Sequence, residues 1–281
     1  MKTYITFSLF LFSILFTSCT DVIDVDVSTA IPRLVIEASI DWEKGTQGNN
    51  QFIKLSTSNA YYDNNTVTDV TNALVKITNN TTGEVFNFED QDNGLYTINT
   101  FNPILHNFYT LEVQYEGETY LANEQLIPVV DISAIYQSTE DGFDDEALEV
   151  YIDFTDPAGV DNYYFIKIQA EDNLLPVMFD ITDEFTDGNL MSLYYEREED
   201  SDINQEEFKA GDVVAISFHG VSETYSNYIQ LLIEQYESVG DPFTSTPVVL
   251  RGNCTNPTHP ENFAYGYFRL TEVVKSTYTF E

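Results

Sequence analysis

Cys19 is the residue whose type and setting most directly imply chemistry. Lys2 opens the chain, an apolar run extends from Ile5 to Phe16, and the small residues Thr17 and Ser18 stand just before the cysteine. That arrangement is the cleavage signal of a bacterial lipoprotein. Its cysteine becomes the new N-terminus: the sulfur carries a diacylglycerol and the amine is acylated. Two or three acyl chains hold firmly, where one gives only reversible binding. The run is about a dozen residues, short of the roughly 20 that cross a hydrocarbon core, and no second candidate follows it. Residues 1–18 are therefore expected to be a signal peptide. Residues 19–33 are expected to be a lipidated tether that anchors the protein to an outer membrane without spanning it.

Asp21, Asp24 and Asp26 follow the cysteine, and two readings stay open. An acidic stretch at this place resembles the signal that sends lipoproteins of the Bacteroidota to the cell surface. The alternation in "VIDVDV" equally suits a short edge strand.

Carboxylates elsewhere invite a search for metal or acid/base chemistry. "EDQDNGLY" sets Asp90 and Asp92 two apart, as a calcium loop begins, but Gly94 and Leu95 break the order of ligands and Asn93-Gly94 suits a hairpin turn. Two acidic runs, residues 140–146 and 196–202, offer hard oxygen ligands, with Asp141, Asp144 and Asp145 as the calcium candidates. Charge runs in loops are more often solvated surface. No metal is predicted, and the lipid on Cys19 is the only expected prosthetic group. Carboxylates this numerous would form chance pairs, so none marks general acid/base catalysis. There is no G-x-S-x-G, H-E-x-x-H, P-loop or dinucleotide fingerprint. His106, His219 and His259 lack ligand-like spacing and read as loop or strand-end residues. No enzyme is predicted.

Nineteen Tyr and 20 Phe stand against one Trp. Most belong in strands, but Tyr also favours interfaces. Tyr61-Tyr62 and Tyr194-Tyr195 sit in loop-like contexts and are the predicted partner-binding anchors. With a formal charge of −36 and 11 Lys plus Arg, the chain has no means to make the basic face that nucleic acid requires. Direct adhesion to anionic lipid is disfavoured for the same reason. Once Cys19 is lipidated only Cys254 remains, so no intramolecular disulfide is expected.

The elements that must position these groups read as β-structure. "LVIEASI", "QFIKLSTS", "ALVKITN", "EVFNF", "YTLEVQY" and "ETYLANE" are short, rich in β-formers and separated by Gly, Asn and Asp. In "YTLEVQY", Tyr109, Leu111, Val113 and Tyr115 share one face, and Glu116-Gly117 suits a tight turn into the next strand. Six or seven strands in this stretch predict an Ig-like or transthyretin-like antiparallel β-sandwich over residues 34–127. Pro128 opens a second section. "EVYIDFTDP", "NYYFIKIQA" and "DVVAISFHG" are strand-like, with Tyr164, Ile166, Ile168 and Ala170 on one face. "SETYSNYIQLLIEQYES" spaces Tyr225, Tyr228, Ile229, Leu232 and Tyr236 by three and four, which predicts an amphipathic helix near 222–238. Ser222 suits its N-cap, and Gly240 with Pro242 its end. Residues 128–281 thus read as a β-rich α+β domain with one helix.

In order along the chain, "CTDVIDVDVSTAIPRLVIEASI", "NALVKIT", "DNGLYTI", "YTLEVQYEGETYLA", "FTDPAGVDNYYFIKI", "KAGDVVAISFHGVSETYSNYIQLL", "DPFTSTPVVLRGNC" and "YGYFRL" resemble the DUF4249 family of Bacteroidota lipoproteins. The resemblance covers nearly the whole mature chain and is specific as an ordered series. It implies an outer-membrane lipoprotein, often encoded beside a TonB-dependent receptor, and supplies no catalytic residues. Cys254 in "RGNCTN" departs from the apolar residue expected there and suits a small buried thiol. Two functions are in play: a non-catalytic accessory of a TonB-dependent transporter or other outer-membrane barrel, or a surface module for glycan or peptide.

Overall fold

Runs of β-branched and aromatic residues broken by turn formers fold as fourteen strands and one helix among the described residues of this computed structural model, which are 31–60, 63, 66–144, 146–201, 205–238 and 249–281. The first half carries β1 (Leu34–Glu43), β2 (Gln51–Thr57), β3 (Leu74–Asn79), β4 (Val85–Asp90), β5 (Leu95–Ile98), β6 (Phe108–Tyr115) and β7 (Glu118–Ile127). The second carries β8 (Ile132–Ser138), β9 (Glu149–Thr155), β10 (Tyr163–Ala170), β11 (Val177–Thr182), β12 (Leu190–Glu196), β13 (Val213–Val221), α1 (Glu223–Glu237) and β14 (Tyr265–Thr279). The mainly β class and the single amphipathic helix are as the sequence predicts.

β6 shows how the pattern works. Tyr109, Leu111 and Val113 are buried while Thr110, Glu112 and Gln114 are not. Glu116 and Gly117 then turn the chain with φ of 50° and 81°, so that Tyr115 pairs with Glu118. Positive φ at both central residues is the type I′ turn, whose twist matches that of the strands. The Asn93-Gly94 turn also forms, with Gly94 at φ 77°.

The first half departs from an open antiparallel sandwich. β14, β1, β2 and β5 form one layer and β4, β3, β6 and β7 the other, with Ile36, Ile53, Tyr96, Leu111 and Phe268 in the shared core. Both edges are stitched: Glu89 and Asp90 pair with Thr97 and Tyr96, while Leu126 and Ile127 pair in parallel with Leu270 and Thr271. Because β14 also runs parallel to β1 from Val35/Tyr265 to Glu43/Val273, the strands close into a ring. The closing strand comes from the far end of the chain, so no local pattern in the first half announces it. Cys254 lies in this core, and burial pushes its thiol up to about 12.

In the second half, β12, β9 and β8 form a small sheet whose Val150, Ile152 and Phe154 pack on Ile166, Ile168, Val214, Ile216 and Phe218 of β10 and β13. α1 covers the opposite face, with Tyr225 and Ile229 against Phe165 and Tyr267. β10 is therefore covered on both sides, which accounts for the apolar run from Tyr163 to Ile166. Ser222 caps α1, its Oγ accepting the Tyr225 N–H at 3.2 Å. The line that meets the sheet runs from the buried Tyr225 and Ile229 to the partly buried Ile233 in steps of four. Leu232 and Tyr236, expected on the apolar stripe, are exposed because the contact ridge slants across a twisted sheet. Gly240 and Pro242 lie outside the described residues. Pro128 stands between β7 and β8, and β14 serves both halves, pairing with β1 and β7 through its first part and with β13 from Val273 to Thr279. Pro32–Glu281 form one compact unit.

Candidate functional site

The end of β12 organises one set of loops. Glu196 accepts the Phe143 N–H at 2.7 Å, which fixes the β8–β9 loop. Its neighbour Arg197 is buried, lies over the Phe208 ring at 4.4 Å and donates to both oxygens of Asp172 at 2.7 and 3.0 Å, which fixes the β10–β11 loop. Both bonds come from the one nitrogen Nη1, and a charge-assisted contact of this kind is stronger than a neutral one. Antiparallel pairing of β9, β10, β11 and β12 puts both loops at the same end of the second half. They present apolar side chains there: Phe143 is 90% exposed and Leu174 93%. A cleft of about 340 Å³ opens between Leu174, Leu175 and Pro176 on one side and Ile233 and Tyr236 of α1 on the other.

Next to that end, a row of rings crosses the outer face of the small sheet. Tyr136 stacks on Tyr151 with centroids 4.9 Å apart, and Tyr151 on Tyr194 at 5.7 Å. Tyr151 is buried within the row and donates to Asp141 at 2.8 Å. Burial, then hydrogen bonding to Asp141 and Glu149, drives its phenol far above the usual value. Tyr194 and Tyr195 thus belong to a strand, where the sequence suggests a loop. Adjacent Tyr residues hide the alternation that would have marked β12. Since successive strand residues point to opposite faces, the pair divides: Tyr194 stands outward, while Tyr195 packs inward against Phe179 and Phe208 at 5.9 and 5.6 Å.

Of the calcium candidates, Asp141 lies beside Tyr151, and Asp144 accepts the Glu146 N–H at 2.8 Å. Asp145 lies outside the described residues, as do Cys19, Asp21, Asp24, Asp26, Tyr61 and Tyr62. A carboxylate group that the sequence reading missed lies at the opposite end, where Asp156, Asp183 and Asp187 bring ligand oxygens within 4.8 Å of one another. These are hard donors suited to a cation, yet each already accepts protein hydrogen bonds. Asp156 takes the Tyr164 hydroxyl at 2.6 Å and the Gly188 N–H at 3.0 Å, Asp183 the Asn162 N–H at 2.9 Å, and Asp187 the Gly159 N–H at 2.7 Å. The trio braces the β9–β10 and β11–β12 loops. Its sequence sign was acids on either side of turn formers in "TDPAGVDN" and "TDEFTDGN".

His219 is not a loop residue. It is buried in β13, its Nδ1–H donating to the Phe165 carbonyl at 3.0 Å and its Nε2 3.7 Å from Asp41. Asp41 in turn lies 2.7 Å from Arg269 of β14, above which sits the Tyr225 ring at 5.2 Å. Burial alone would raise the Asp41 carboxyl, but Arg269 and His219 overcome it and hold it well below the usual range. His259 pairs with Glu118 at 2.8 Å.

No curated protein matches the chain in sequence. Among solved structures, a cytokine receptor complex is similar at 7% identity and a TM-score of 0.26, over 88% of this chain and 95% of that one. A two-domain fibronectin type III segment of chicken tenascin overlaps at 9% identity and a TM-score of 0.21, over 69% and 89%. A DUF4785 family protein of Legionella pneumophila overlaps at 9% identity and a TM-score of 0.26, over 68% and 53%. Superpositions this loose carry no argument about binding. The family described as Domain of unknown function (DUF4249) matches residues 20–277, nearly the whole chain, and this protein belongs to it.

Proposed function

We propose that this is a non-catalytic outer-membrane lipoprotein, anchored through Cys19, that acts as the accessory partner of a TonB-dependent transporter or another outer-membrane barrel. The observation that carries the reading is the loop end of the second half, where Phe143 and Leu174 are presented on loops pinned by Glu196 and Arg197. Exposed apolar side chains on fixed loops suit recognition, because little ordering is left to be lost on binding. A lipid tether supports it further, since confinement to the membrane plane raises the effective concentration of two partners and lets a modest interface suffice. A charge of −36 favours a partner with basic extracellular loops, so salt should slow association more than it speeds release.

The test is purification of the tagged protein from native outer membranes in mild detergent after cross-linking. A barrel protein should accompany the parent and be depleted with the Phe143→Asp/Leu174→Asp variant, whose melting temperature should match the parent because both positions are exposed. Recovery of the lipoprotein alone, at low and high salt, would overturn this reading. Tyr136 and Tyr194 keep an exposed part in the tyrosine row, which favours the alternative of a glycan- or peptide-binding surface module if the isolated protein binds either unaided.

A further inference from the structure

β2 carries an aromatic ring on its wet face. Gln51, Ile53 and Leu55 point into the core, while Phe52 stands 59% exposed on the side it shares with Lys54. Register builds a row from that ring: Phe52 pairs with Thr97 of β5, and Thr97 pairs on its other side with Glu89 of β4. β4 and β5 are joined only at Glu89/Thr97 and Asp90/Tyr96. A groove of about 540 Å³ lies along the row, within the roughly 300–1,000 Å³ of small-molecule sites.

Three carboxamides line the groove with the ring. Asn50 leads into β2, Asn99 follows β5, and Asn87 precedes Glu89 by two residues in β4, so antiparallel pairing brings all three to one end of the row. All three are exposed, and their side-chain amides make no hydrogen bond among the described residues. The adjacent Asn49 differs: its amide donates to the Asn99 carbonyl at 2.9 Å. Glu89 is the one ionised side chain among the described residues that line the groove. Lys76, which pairs with Asn87 from β3, is held by Glu112 at 3.0 Å. The groove thus presents an open ring, free amides and a carboxylate.

We propose that this groove binds a neutral saccharide, with Phe52 as the surface on which a sugar ring stacks and Asn50, Asn87, Asn99 and Glu89 as the groups that hold its hydroxyls. A pyranose has an apolar C–H face and a rim of hydroxyls, each of which both donates and accepts. A flat apolar ring bordered by carboxamides, which also donate and accept, matches both parts. The Glu89 carboxylate adds a charge-assisted acceptor for a hydroxyl and repels anions, as does the formal charge of −36. A peptide added as a strand finds no edge here, because β5 is bonded on one side to β2 and on the other to β4. The site is separate from the tyrosine row of the second half, and it stands whether or not Phe143 contacts a barrel.

The full chain, held in a detergent without sugar headgroups, is titrated by calorimetry with cellohexaose, maltohexaose, xylohexaose and mannohexaose, and with hexagalacturonate as the anionic control. At least one neutral hexaose should bind with a dissociation constant of about 10 µM to 1 mM, and hexagalacturonate should not bind. Phe52→Ala should weaken that binding at least about tenfold, while Phe52→Tyr, which keeps the ring, should retain it. Asn87→Ala and Asn99→Ala should each weaken it about threefold to tenfold. All of these variants should melt with the parent, because the positions are exposed, and Phe52→Ala should still recover a barrel on cross-linking, so that failure here is distinct from failure of the barrel reading. No binding by any neutral hexaose, or equal binding by hexagalacturonate, would overturn the proposal. So would binding that survives Phe52→Ala and Asn87→Ala but disappears in Tyr194→Ala.

Discussion

At the scale of single residues, two histidines in one chain are moved in opposite directions, and the causes lie in their neighbours. Glu118 raises His259, by hydrogen bond first and charge second. Burial lowers His219, with Arg269 and Lys167 adding to it against the opposing pull of Asp41. A histidine raised in the folded state stabilises fully below its unfolded value and loses that contribution as pH rises through the folded value. His219 has the reverse sign: it carries no penalty above the unfolded value and becomes unfavourable as pH falls below it. In an NMR titration His259 should therefore protonate above the ordinary imidazole value of 6.5 and His219 below it. Glu118→Gln should return His259 toward that value and leave His219 where it was. A His259 midpoint indifferent to Glu118→Gln would contradict the assignment of cause. None of this was legible from spacing, since residues 41, 219 and 269 meet only once β1, β13 and β14 are side by side.

At the scale of elements, α1 shows how far periodicity alone can be taken. The spacing of apolar residues and the Ser222 cap located the helix, but not which side of a broad stripe would face the sheet. Ile229 is buried and Leu232 exposed. Ile229→Ala should cost about 2–4 kcal/mol in urea unfolding, while Leu232→Ala should change stability by no more than about 0.5 kcal/mol. Equal costs would mean that the helix sits on the sheet in another rotation. β6 and its hairpin were readable because one face is wet and the other dry, so alternation survives in the sequence. β12 was not, because Tyr194 and Tyr195 are both aromatic though only one faces inward. The row of Phe52, Thr97 and Glu89 was likewise hidden, since register exists only when strands are paired.

At the scale of the whole molecule, 47 acids against 11 Lys and Arg mean that folding gathers like charge. Self-repulsion of that size is screened by salt within a Debye length of roughly 10 Å at 0.1 M. Raising sodium chloride from about 0.05 to 0.5 M should therefore increase the melting temperature. A melting temperature that falls with salt would show that attractive ion pairs outweigh the repulsion. The charge and the β class were open to reading from composition, but the closing of the ring was not. β1 finds its second neighbour only in β14, with Val35 beside Tyr265 and Glu43 beside Val273. That pairing has a kinetic meaning: as the chain emerges, the edge of β1 stays bare until almost everything else has been made. Contacts so distant in sequence slow folding, and a bare edge in that interval can pair with any strand that passes. A nascent chain of this protein is thus most open to mispairing at its beginning, and protection at that edge matters until the last strand arrives.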